Sequence, residues 1–224
     1  MSGIEHMDLS ITTSEETRFM NKHLNLIRTM SNKYKSSFHE VAGLVIIYYK
    51  FQIQPDGSEK GMTKRQFINF LHNSLDITDE KLRRHILSAI EVNRHPTPIL
   101  TMKSWLSVML IFLNGELKSK VNHCFKVYDV FQNGSISKRN MEYFLEDVFI
   151  GENTEDSRDI KLEFVDMLLR KLDVEGNGEI SRENYESFAL ENPLGMELLG
   201  PCLPSRYAIR GFLSTFHPFV RNVR

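Results

Sequence analysis

Two cysteines, Cys124 and Cys202, are the only thiols in 224 residues. That is too few for a disulfide framework in a chain this long. Cys124 lies in an apolar helical run and reads as a core thiol, so a reducing compartment is expected. A dominant charge is also lacking, because the formal net charge is −1. Neither nucleic acid nor an anionic membrane surface is therefore expected as a partner. Long hydrophobic runs are missing too. The longest, Val41 to Tyr49 and Val108 to Leu113, fall well short of the roughly 20 residues a membrane-spanning helix needs. Met1 to His6 is polar and carries no signal-peptide pattern, and glycine stands at position 3 rather than 2, so no myristoyl anchor is expected. These absences together predict a soluble, cytoplasmic protein without a membrane anchor.

Catalytic signatures are equally scarce. No nucleophile elbow, phosphate-binding loop or dinucleotide fingerprint occurs. The eight histidines are scattered, with no HExxH and no Cys/His spacing suited to zinc. His72, His85 and His123 read as core-edge or surface residues. An enzyme with a small-molecule substrate is not expected.

What the chain does contain is a fourfold repeat. Met62-Thr63-Lys64-Arg65-Gln66-Phe67, Leu100-Thr101-Met102-Lys103-Ser104-Trp105, Ile136-Ser137-Lys138-Arg139-Asn140-Met141 and Ile180-Ser181-Arg182-Glu183-Asn184-Tyr185 lie 38, 36 and 44 residues apart. Each places an aliphatic residue before Ser or Thr, and a large apolar residue four positions after that hydroxyl. The apolar set then continues at helical spacing: Phe67, Phe70, Leu71; Trp105, Val108, Met109; Met141, Phe144, Leu145; Tyr185, Phe188, Ala189. That spacing makes one buried helix face. The hydroxyl is the expected N-cap of each helix. Gln66 suits the capping-box position three residues on, whereas Asn140 and Asn184 suit it poorly. A single capped helix would be uninformative; four aligned copies argue for an internal repeat.

The spacing of oxygen-bearing residues before the last helix gives the repeat its meaning. Asp173, Glu175, Asn177, Gly178, Glu179, Ser181 and Asn184 occupy positions 1, 3, 5, 6, 7, 9 and 12 of a twelve-residue loop. An EF-hand draws calcium ligands from positions 1, 3, 5, 7 and 9 and a bidentate Glu at 12, around a Gly at 6. The aliphatic residue of each repeat then falls at position 8, where paired loops bridge through a short two-stranded sheet. Here position 12 is a neutral Asn. Asp173, Glu175, Asn177, Glu179 (through its carbonyl) and Asn184 form a weak candidate calcium site, with an affinity of roughly 10⁻⁴ M or weaker expected. The preceding loop keeps Asp129, Asn133, Gly134, Ser135 and Ser137, but carries Phe131 at position 3 and Asn140 at position 12. Asp129, Asn133 and Ser135 read as vestigial ligands, because one carboxylate does not offset the dehydration of a divalent cation. The loop ending at Gln66 has no ligand pattern. The loop Asn93 to Ser104 contains Pro96 and Pro98, and Pro98 stands where the turn needs glycine.

The expected fold is all-α: two lobes of paired EF-hands, the first two hands strongly degenerate, arranged like calmodulin or the neuronal calcium sensors. The expected organisation is an N-terminal arm at 1–35, an N-terminal lobe at 36–115, a C-terminal lobe at 116–195 with hands at about 118–153 and 160–195, and a tail at 196–224. Ile160, Phe164 and Leu168 predict an apolar helix face entering the last loop; Val121, Phe125 and Tyr128 do so for the third. Ser104 to Val130 is expected as a long helical connection softened at Asn114-Gly115. Glu152 to Asp159 reads as an exposed loop, and the first thirty residues, polar at the start and then weakly helical at Phe19, Leu24, Leu26, Ile27 and Met30, as a docking arm or a partly disordered tail.

Three stretches narrow the resemblance: Cys124-Phe125-Lys126-Val127-Tyr128-Asp129, Trp105 to Gly115, and Leu199-Gly200-Pro201-Cys202-Leu203-Pro204. From about Phe38 to Pro204 the chain resembles the calaxin-like family, EF-hand proteins of the outer dynein arms of cilia and flagella. The resemblance implies a two-lobed calcium sensor attached to the docking complex that holds those arms on doublet microtubules. It would place the protein in the axoneme, with axonemal docking or dynein proteins as partners. Helices of those partners are expected in apolar grooves, for which Met102, Met109 and Met141 suit an adaptable lining. Where the family's second loop is acidic, this chain has Asn93, His95, Thr97, Pro98 and Ser104. The expectation is therefore an axonemal adaptor with weak or lost calcium binding. The alternative is a genuine sensor switched through the Asp173–Asn184 loop.

Overall fold

Each of the four Ser/Thr residues of the repeat caps a helix. Thr63, Thr101, Ser137 and Ser181 are extended and accept the amide of the residue three positions on, at 3.1, 3.1, 3.3 and 3.3 Å. Gln66 closes the box back onto the Thr63 amide at 2.8 Å. This is the architecture of a computed structural model that describes residues 12–52, 61–90, 98–146 and 155–216.

In chain order the elements are α1 (Thr13–Lys22), α2 (Leu24–Tyr34), α3 (Phe38–Gln52), β1 (Met62–Thr63), α4 (Lys64–Leu75), α5 (Glu80–Ile90), β2 (Ile99–Leu100) and α6 (Met102–Asn114). There follow α7 (Leu117–Tyr128), β3 (Ser135–Ser137), α8 (Lys138–Phe144), α9 (Glu155–Leu172), β4 (Glu179–Ser181), α10 (Arg182–Glu191), a 3₁₀ turn Pro193–Glu197 and α11 (Arg206–Phe216). Among the described residues the fold is all-α apart from two short antiparallel bridges. β1 pairs with β2, placing Met62 opposite Leu100; β3 pairs with β4, placing Ile136 opposite Ile180. The four aliphatic residues of the repeat thus meet two by two, as position 8 of paired hands requires.

The helix faces read from the sequence are the core. Phe67, Phe70, Leu71, Trp105, Val108, Met109, Met141, Phe144, Leu145, Tyr185 and Ala189 are all buried, and only Phe188 is half-buried. Burying each large side chain contributes about 1.5–3 kcal/mol. The Trp105 indole donates to the Leu44 carbonyl at 3.0 Å, and the Tyr48 hydroxyl to the Leu100 carbonyl at 2.7 Å, so these aromatic side chains enter the core with their polar ends satisfied. Met109 and Met141 are fully buried and serve as packing.

Four expectations are revised. First, residues 13–34 are not a loose arm. Thr12 opens α1 with a capping box, Phe19 stacks on Tyr49 of α3 at 4.0 Å, and Ile27 and Met30 of α2 are buried. Second, the connection from Ser104 to Val130 is two helices. A Cβ at Gly115 would stand 2.4 Å from the Ile111 carbonyl oxygen, so the chain turns out of α6 where only glycine fits. Third, the stretch read as a loop before Asp159 is helical from Glu155 onward; an acidic stretch also favours the positive end of a helix. Fourth, of the stripe on α9, Leu168 is buried but Ile160 is 54 % exposed.

The two lobes also share an interface. Lys81 of α5 pairs with Glu146 at 2.9 Å, His85 lies edge-on to Phe144, and Leu82 packs against Gly200. The segment after α10 covers α7 and α10. Leu199, Cys202 and Pro204 are buried there, the Tyr128 hydroxyl donates to the Gly200 carbonyl at 2.7 Å, and the Tyr185 hydroxyl donates to the Met196 carbonyl. Cys124 and Cys202 are free thiols within this cover, and burial pushes the Cys124 thiol up.

Candidate metal centre

The fourth loop is built around Asp173. Its carboxylate accepts the amides of Gly176 (2.8 Å), Asn177 (3.2 Å) and Gly178 (2.7 Å), and the Asn177 side-chain oxygen accepts the Glu179 amide at 2.9 Å. Gly178, at position 6, has φ of +82°, a left-handed conformation that glycine takes without Cβ strain. Asp173 and Asn177 thus wind the loop about their side chains, with Gly178 at its sharp turn.

Position 12 departs from that scheme in a way the sequence did not reveal. The Asn184 side-chain amide donates to the Glu175 carboxylate at 2.7 Å. Positions 12 and 3 both supply ligands to the calcium ion in an occupied hand. Here a neutral N–H joins them directly. Glu179, at position 7, turns its carboxylate to the third loop and accepts the Ser135 hydroxyl at 2.5 Å.

The third loop has the same backbone and a different closure. Asp129 accepts the amides of Asn133 (3.1 Å) and Gly134 (2.9 Å), and Gly134 has φ of +88°. The Ser135 amide donates to the Asn133 side-chain oxygen at 3.3 Å. Phe131, at position 3, is 60 % exposed and offers no oxygen. Asn140 is buried and donates inward to the Tyr128 carbonyl at 3.4 Å.

A divalent cation fits these residues only in part. The fourth loop offers two carboxylates, Asp173 and Glu175, with the Asn177 oxygen and the Glu179 carbonyl, but its twelfth position presents a donor to Glu175. Among the described residues no group of three or more His, Cys, Asp or Glu side chains is arranged to hold a metal ion. Of the first loop, residues 55–60 lie outside the described residues, as do Asn93, His95, Pro96 and Thr97 of the second. Pro98 is described, and its carbonyl accepts the Lys64 amide at 2.8 Å, binding loop to loop instead of ligating.

Outside the loops His72 is exposed, His85 is half-buried and His123 is buried. Burial, and the Lys126 charge, lower the His123 pKa to about 4, against a hydrogen bond with the Cys202 backbone that raises it. No described helix is long and apolar enough to cross a membrane.

Residues 118–190 match the family described as an EF-hand domain pair. Paired bridges, four capped exit helices and two loops wound on Asp129 and Asp173 define an EF-hand protein, a class of binding proteins rather than enzymes. Calaxin from Danio rerio is 29 % identical over 153 residues, which cover 68 % of this chain and 72 % of that protein. Calaxin from Homo sapiens is 27 % identical over 168 residues, 74 % of this chain and 79 % of that protein. Guanylyl cyclase-activating protein 1 of Lithobates pipiens is 23 % identical over 164 residues, 72 % of this chain and 77 % of that protein. The chain is a divergent, calaxin-like EF-hand protein, and calcium is the ion for which loops of this class are built.

Proposed function

We propose that this protein is an adaptor of the ciliary or flagellar axoneme, associated with the outer dynein arm docking complex, that holds its shape without calcium. The observation that carries the calcium-independent part is the Asn184–Glu175 hydrogen bond. It closes the fourth loop with a neutral amide where a sensor needs the ion to draw positions 3 and 12 together. The axonemal part rests on the likeness to calaxin over most of the chain. Calcium binding is weak or absent in this reading, and partner helices of docking or dynein proteins are the expected ligands.

Two measurements test it. In isothermal calorimetry, with and without millimolar magnesium, the purified chain gives no micromolar calcium site. In axonemal extracts it co-purifies with docking proteins in the presence of a chelator. Release of those proteins by the chelator would defeat the reading.

A second reading has its own observation. Asp173 and Gly178 keep the geometry of a competent loop. If the ion displaces the Asn184 amide, Glu175 is freed to ligate and the protein is a low-affinity sensor. A calcium response abolished by Asp173→Ala would establish that alternative.

A further inference from the structure

Three aromatic side chains from three helices meet on the N-terminal lobe. Phe51 of α3 and Trp105 of α6 lie edge-on to Phe70 of α4, at 6.0 and 4.9 Å between ring centres. The chain's own last helix is seated against this cluster. Phe212 of α11 lies edge-on to Phe70 at 5.6 Å and is 7 % exposed, although its place in the sequence is far from the lobe it enters. α11 packs on α4.

The seat is a helix-binding face, and α11 is weakly built for a permanent part of it. Among the described side chains of α11 only Phe212 is buried; Ala208, Ile209 and Leu213 are half-buried and Tyr207 is 83 % exposed. Gly211 sits beside the anchor in the middle of the helix, with no atom within 4 Å of where its Cβ would be. Neither a positive φ nor a close neighbour calls for glycine there. Mid-helix glycine lowers helix stability, so this position loosens α11 with no packing return. An eleven-residue helix is itself marginal away from its seat.

We infer that α11 is an internal pseudo-ligand: it occupies the aromatic face of the N-terminal lobe and yields it to an amphipathic partner helix that carries one aromatic anchor, as Phe212 does. The α11 pattern specifies the occupant. An apolar stripe formed by Ala208, Ile209, Phe212 and Leu213 faces the lobe, and Arg206 and Arg210 stay in solvent. This inference rests on the adaptor reading and deepens it. The C-terminal lobe is already covered by Leu199, Cys202 and Leu82, so the N-terminal face is the one that exchanges.

The test uses the full chain in a calcium chelator and, as probe, a fluorescein-labelled peptide of residues 204–216, read by anisotropy. Phe212→Ala vacates the seat and should bind the peptide at least tenfold more tightly than the parent chain. Gly211→Ala fills open space and favours the docked helix by roughly fivefold, so it should bind the peptide correspondingly less tightly. The same peptide carrying F212A should bind none of them. Hydrogen exchange should show the α11 amides of the parent opening faster than those of α4, and Gly211→Ala should slow them selectively. Gly211→Ala creates no clash, so this arm stands even if Phe212→Ala unfolds the protein. Equal peptide binding by all three chains both with and without calcium, or exchange of α11 no faster than α4, would overturn the inference. Discrimination that appears only with calcium would uphold the pseudo-ligand and refute the calcium-independent adaptor, so the two readings fail separately.

Discussion

The third and fourth loops carry the same residue at position 12 and use it in opposite directions. Asn184 reaches across its loop to Glu175; Asn140 turns inward to the Tyr128 carbonyl. Position 3 accounts for the difference. Glu175 offers an acceptor on the loop's open side, and Phe131 offers none, so Asn140 turns to the backbone beneath it. The closing residue is thus read through its partner. One Asn is a lid across the ion's place, and the other is a buried strut between loop and helix.

The contrast can be broken most severely at the strut. Asn140→Glu puts a carboxylate where the side chain is 3 % exposed and opposite a carbonyl. An unpaired buried charge of this kind costs about 3 kcal/mol or more. The expected outcome is a large fall in Tm that calcium does not restore. Calcium rescue would mean that the two loops are equivalent after all.

The matching change in the fourth loop should do the reverse. Asn184→Glu supplies the missing ligand beside Asp173 and Glu175, and affinity for calcium in calorimetry should rise about a hundredfold. Without calcium, two carboxylates replace the hydrogen-bonded pair and the variant should melt below the parent. A variant that binds no calcium would place the defect in the loop's shape.

Acid should act on the core. His123 is held neutral with a pKa of about 4, below the roughly 6.5 of an unfolded chain. Between these values the unfolded chain binds the extra proton, so stability is complete above pH 6.5 and falls as pH drops toward 4. The expected loss between pH 7 and pH 5 is about 2 kcal/mol in urea titrations, and His123→Leu should flatten that slope. An unchanged slope would shift the acid sensitivity to other groups.

The smallest effect belongs to the lid itself. Glu175→Gln keeps an acceptor for Asn184 but removes its charge. On an exposed site this should lower stability by less than about 1 kcal/mol. A loss several times larger would make the lid a major support of the lobe.

The repeat was legible because position 8, the cap at position 9 and the helix face are local in sequence: Ile136, Ser137 and Met141 each act where the pattern puts them. Asp129 and Asp173 were legible as first loop positions for the same reason, though read as calcium ligands rather than as the acceptors of their own loops' amides. The direction of an Asn amide was not, since it depends on what stands nine residues earlier in the loop and on the backbone behind it. The packing of the N-terminal helices, as distinct from their helical pattern, was hidden for another reason. Phe19 and Ile27 are sparse in a polar stretch, and their burial depends on Tyr49 and α6, far along the chain. α11 escaped notice because its anchor answers to Phe70 of the other lobe.

The contact between Leu82 and Gly200 has a consequence for how the protein is made. A ribosome adds about 5–20 residues per second, so Leu82 emerges on the order of ten seconds before the residue that covers it. Throughout that interval Leu82 has α6 and α7 to pack against but lacks the cover that the segment around Gly200 adds. Nascent protein stalled before residue 200 should therefore be the form most often held by chaperones, and full-length chain the form that escapes them.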